Sequence, residues 1–92
     1  MNKLIWNEDF TLHPDGPPTY RSNGTGPWRY QIDSVKHCRE EESARLNSLG
    51  ILYYASINHD IIKNWAATPA KSLGEAKTQC QKWNDALVAS ER

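Results

Sequence analysis

Residues 69–83, PAKSLGEAKTQCQKW, read as the capped start of a helix. Ser72 with Glu75 three positions on is a capping box: the hydroxyl accepts an orphan backbone N–H and the glutamate reaches back. Leu73, Ala76, Cys80, Trp83 and Leu87 then recur at spacings of three and four, which predicts a single apolar stripe on a C-terminal helix. Such a stripe needs a sheet to lie on. Nothing in the stretch is equipped for chemistry, so the helix is expected to be structural.

The segments before it supply the strands. ILYYASI, residues 51–57, is β-branched and aromatic with no breaker, and predicts a strand. Asn58-His59-Asp60 reads as a turn, and IIKNWAA, residues 61–67, as the second arm of an antiparallel hairpin. In WRYQID, residues 28–33, Trp28, Tyr30 and Ile32 alternate with Arg29, Gln31 and Asp33, the period of a strand with one apolar and one polar face. The pattern continues loosely through Ser34–His37. KLIWNEDFTL, residues 3–12, reads as a short strand or the beginning of a hairpin.

Residues 13–27, HPDGPPTYRSNGTGP, gather four of the five prolines and three of the five glycines. That is loop chemistry, with at most a short strand around Thr19–Ser22, and with Asp15-Gly16 and Asn23-Gly24 as places for a positive φ. REEESARLNSLG, residues 39–50, fits either a short helix ending at Gly50 or an extended surface loop. The expected architecture is α+β: one domain over residues 1–92, a small antiparallel sheet of three to five strands, and a C-terminal helix packed on one face.

A chain of 92 residues buries only about 60–65% of its unfolded surface, so its core is thin and each aromatic matters. Eleven basic and eleven acidic residues sum to zero net charge, which argues against nonspecific nucleic-acid binding while leaving room for a local basic patch. MNKLIWNEDF lacks the apolar run of a signal peptide and no later segment reads as a membrane span. The expectation is a cytoplasmic protein with Cys38 and Cys80 as reduced thiols.

Candidate chemistry is sparse. His37, Cys38, His59 and Cys80 lie too far apart in sequence for finger-type zinc spacing, and Cys80 falls on the apolar stripe; no metal and no cofactor is expected. Cys38 follows His37 directly, and adjacent strand residues point to opposite faces, so the two are not expected to pair as nucleophile and base. No phosphate-binding or nucleophile-elbow motif is present, and the chain is read as non-enzymatic. Arg21, Arg29, Lys36, Arg39 and Arg45 interleave with Trp28 and Tyr30, a pattern that can hold a nucleic-acid strand by charge and stacking. The simpler reading turns both aromatics into the core and leaves the cations on a polar sheet face.

LIW near the start, then GPWRYQI, ILYYAS and SLGEAKTQCQKW in that order resemble a small α+β domain common in bacteriophage and prophage genomes. Residues 72–83 carry the closest likeness, from Ser72, Leu73, Glu75, Ala76 and Lys77 to Cys80-Gln81. Size, composition and phage-like character also resemble the small anti-CRISPR proteins of type I-F systems. That resemblance implies a stoichiometric, non-catalytic inhibitor in the bacterial cytoplasm that binds the Cas proteins of a guide-RNA surveillance complex and blocks target DNA. Glu40, Glu41 and Glu42 would meet its basic surface, Lys36 and Arg39 would reach guide-RNA phosphate, and Arg29 and Arg45 complete the expected partner-binding set. The alternative is a small phage nucleic-acid-associated or regulatory protein using the basic and aromatic region 21–45.

Overall fold

The computed structural model describes residues 3–62 and 65–90. Five strands pair antiparallel in sequence order: β1 (Asn7–Asp9), β2 (Thr19–Asn23), β3 (Trp28–Ser34), β4 (Tyr53–His59) and β5 (Trp65–Ala70). A single 3₁₀ turn (Val35–His37) and helix α1 (Glu40–Ser48) connect β3 to β4, and helix α2 (Leu73–Ser90) follows β5. The chain is therefore α+β, with α2 lying chiefly over β4 and touching β3 and β5 on either side. Among the described residues no helix is long and apolar enough to cross a membrane.

Alternation sorts the strands into two faces. Tyr30 and Ile32 of β3 and Ala55 of β4 are buried beneath α2, which contributes Ala76 and Cys80. The small side chains Ala55 and Ala76 bring helix and sheet backbones close, and Leu73 and Trp83 flank that contact with partial burial. Ser72 Oγ accepts Glu75 N–H at 3.0 Å, which forms the hydroxyl half of the capping box, while the Glu75 side chain stays exposed. Leu87 is half-buried, and the residue off the expected stripe, Asn84, is 2% exposed. At the other end of the chain Leu4 joins the core, and its N–H donates to Gln81 Oε1 at 2.9 Å.

Several boundaries differ from the sequence reading, each for a physical reason. Asn58 and His59 are the end of β4 rather than a turn, because Asn58 pairs with both Arg29 and Trp65 and His59 pairs with Trp28, whose ring it meets edge-on at 4.7 Å. The turn begins at Asp60, and Ile61 and Ile62, expected in a strand, sit in it exposed at 76% and 64%. Lys63 and Asn64 of the same expected strand lie outside the described residues. β1 covers only Asn7–Asp9, and Phe10 and Leu12 are exposed. Residues 35–37 wind into a 3₁₀ turn, capped by Ser34 Oγ accepting Lys36 N–H at 3.1 Å.

Within residues 39–50 the chain forms a helix over Glu40–Ser48. Gly50, at φ +79°, donates to Asn47 O and the next residue, Ile51, donates to Leu46 O, the paired bonds of a Schellman stop. In the β2–β3 turn the positive φ belongs to Gly26 rather than to Gly24. Gly24 answers a different demand: a Cβ there would run into the Tyr30 ring at Cε2 and stand 2.9 Å from Asn84 Oδ1.

Candidate binding surface

The face of the sheet turned away from α2 carries two cross-strand rows fixed by register. One runs Arg21, Gln31, Ser56 and Ala67, and the next runs Asn23, Arg29, Asn58 and Trp65. A hollow of about 690 Å³ lies over these rows, walled at one end by Trp65, which is 67% exposed.

Its charged groups are already engaged with one another. Asp9 Oδ1 accepts from Thr11 N–H and Oδ2 from Arg21 Nε, both at 2.9 Å. Arg21 Nη1 donates to Gln31 Oε1 at 2.7 Å, and Gln31 Nε2 donates to Asp33 Oδ2 at 2.8 Å. Thr19 Oγ1 completes the chain by donating to Asp33 Oδ1 at 3.1 Å. The Thr11 hydrogen bonds foremost, with Arg21 beside them, lower the Asp9 carboxyl to about 2. Arg29 Nη1 donates at 2.8 Å to the carbonyls of Gly26 and Trp28, while its Nη2 lies 4.0 Å from Asp60. By contrast, the side chains of Asn23, Ser56 and Asn58 make no hydrogen bond among the described residues, and so face the hollow chemically uncommitted.

The residues expected to bind a partner divide in two. Arg29 lines the hollow near the start of β3. Beyond the far end of that strand, Lys36 is exposed on the 3₁₀ turn and Arg39 is the exposed residue preceding α1. Glu40, Glu41 and Glu42 form the first turn of α1, where carboxylates are stabilised by the positive end of the helix dipole. All three are exposed, and Arg45 Nη2 lies 3.5 Å from Glu42 Oε1. Leu46 is the buried residue of α1, so the rest of that helix is presented outward.

The histidines and cysteines are placed differently from their sequence neighbourhoods. The His13 and His37 rings stack at 3.7 Å, and His37 Nε2 donates to Pro17 O at 2.7 Å. His37 Nδ1 is buried and has no hydrogen-bond partner among the described residues, 3.9 Å from Asp33 Oδ1. Both cysteines are free; Cys80 is buried, and loss of water there pushes its thiol up to about 12. Among the described residues no three His, Cys, Asp or Glu side chains come together as a metal set.

No protein-family model, curated protein or solved structure matches the chain. What the surface offers must be read from its own residues. Trp65, Ser56 and Asn58 were not legible as site residues, because only cross-strand register brings them beside Arg29. The alternation in WRYQID pointed at Arg29 and Gln31 as one polar face, and that was the available signal.

Proposed function

We propose that the protein is a non-catalytic binding protein, and specifically a phage-encoded inhibitor that docks on the Cas proteins of a type I-F CRISPR surveillance complex and blocks its target DNA. The observation that carries this reading is the exposed acidic turn Glu40–Glu42 at the start of an outward-facing helix. A surface built to grip DNA is basic, and three carboxylates on one rigid turn compete for it as phosphates do. Lys36 and Arg39 stand beside that turn, and in this reading they would meet guide-RNA phosphate. The action requires no cofactor and takes place in the host cytoplasm.

The test is capture of a purified type I-F surveillance complex on the immobilised protein, with a Glu40→Lys/Glu41→Lys/Glu42→Lys variant alongside. Capture by the parent, loss of target-DNA binding by the complex, and failure of the variant support the reading. A complex that passes over the parent unretained and still binds DNA rejects it.

A second reading, a nucleic-acid-associated or regulatory protein using region 21–45, draws on Arg21 and Arg29 sharing one hollow with exposed Trp65. Against it, Tyr30 is 2% exposed and offers a base no free face, and Trp28 lies on the α2 side of the sheet against His59, away from Arg21 and Arg29. A titration with single-stranded DNA at several salt concentrations separates the readings, since phosphate-driven affinity falls steeply with salt.

A further inference from the structure

We propose that the hollow on the uncovered sheet face is a binding site for a neutral oligosaccharide, whether a free sugar or a stretch of polysaccharide. This site is separate from the acidic turn of α1 and does not depend on the inhibitor reading. Its volume, about 690 Å³, falls within the range of about 300–1,000 Å³ typical of small-ligand sites.

Charge sets the first constraint. The guanidinium groups of Arg21 and Arg29 are balanced across the hollow by the carboxylates of Asp33 and Asp60. Arg21 donates to Asp9 and Gln31, and Arg29 donates to two backbone carbonyls. A phosphate or carboxylate ligand would be left with the remaining N–H groups of each guanidinium and would meet the acidic groups beside them. A neutral ligand meets no such penalty.

Hydrogen-bonding capacity sets the second. Asn23 projects onto this face from β2, and Ser56 and Asn58 from β4 on the other side of β3, and each both donates and accepts. A sugar hydroxyl also does both, so any rotation of the hydroxyl finds a match. The third constraint is Trp65, which offers an exposed indole at the rim of a polar floor. A pyranose has a hydroxyl-bearing periphery and a C–H-lined face, the pairing that an amphipathic aromatic beside planar polar groups accommodates.

The sheet edges disfavour the competing occupant, an extended peptide added as a sixth strand. β1 is three residues long, and β5 carries Pro69, which has no N–H to offer. The binding surface is the face, and its side chains must do the recognising.

The experiment is a titration of the ¹⁵N-labelled protein with cellohexaose, maltohexaose and chitohexaose, each beside its monosaccharide. Saturable shifts confined to the backbone amides of Ser56, Asn58 and Ala67 and the Trp65 indole support the proposal. So does a loss of affinity of at least tenfold in Trp65→Ala and in the Ser56→Ala/Asn58→Ala double variant, with Glu40→Lys unchanged. Binding by a monosaccharide as tightly as by its hexamer assigns a free sugar, and binding by hexamers alone assigns a polysaccharide chain. No saturable shift with any of the sugars at millimolar concentration overturns the proposal. So do shifts mapping away from the hollow, or saturation of the same residues by a single-stranded deoxythymidine oligomer in their place.

Discussion

Asn84 Oδ1, on α2, accepts the backbone N–H of Thr25 at 2.9 Å and so ties the helix to the turn between β2 and β3. The Tyr30 hydroxyl approaches the same oxygen at 3.4 Å, inside the core. Replacing Asn84 with Ala takes this acceptor away from the part-buried Thr25 N–H and from the buried Tyr30 hydroxyl. The expected cost is about 1–3 kcal/mol in urea unfolding. A variant as stable as the parent would show that the bond contributes nothing to the fold.

Gly24 sits in the same knot. Adding a methyl group there drives it into the Tyr30 ring and Asn84, and overpacking of this kind costs about 1–3 kcal/mol. Gly16→Ala is the control, because its Cβ would meet His13 Cβ at 3.6 Å, an ordinary contact. Gly24→Ala is expected to melt well below Gly16→Ala; equal melting temperatures would mean the turn gives way freely.

The depressed Asp9 carboxyl makes an acid-side prediction. Its folded value, about 2, lies below the ordinary 3.8, so the ionised form stabilises the fold. That contribution is present above about pH 4 and is lost as pH falls toward 2. The urea midpoint should drop through this window in the parent and change less in Asp9→Asn. Parallel pH curves for the two proteins would contradict the assignment.

Burial acts in the opposite direction on Cys80 and Tyr30, holding both neutral with values of about 12. Since each is raised above its ordinary value of 9.0 and 10.0, their stabilising effect is intact below about pH 9 and fades as pH climbs toward 12. At neutral pH a disulfide-exchange reagent should label half-buried Cys38 in the native protein and reach Cys80 only on unfolding. Two equally fast thiols without denaturant would overturn the placement of Cys80.

The parts of the fold legible in sequence are those where one face is apolar and the other polar. WRYQID announces β3, and the spacing from Leu73 to Trp83 announces α2, because burial against a partner leaves a periodic trace. Asn58-His59 and Ile61-Ile62 mislead in opposite directions. The former have turn-forming side chains but are held in β4 by pairing, and the latter have strand propensity but fall where the chain reverses. Asn84 breaks the stripe because its amide serves a turn 59 residues away, a need no local pattern records. The uncovered face was least legible of all, since Trp65 and Arg29 become near neighbours only through Asn58 between them.

The strand order equals the order of synthesis. Every strand emerging from the ribosome finds its partner in the strand just made, so the sheet can lengthen one ribbon at a time without waiting for distant chain. α2 is made after all five strands, and the contacts reaching back across the sequence, Leu4 to Gln81 and Thr25 to Asn84, are its own. The helix is thus a latch closed on a sheet already laid down. Substitutions at the latch should hasten unfolding far more than they delay folding.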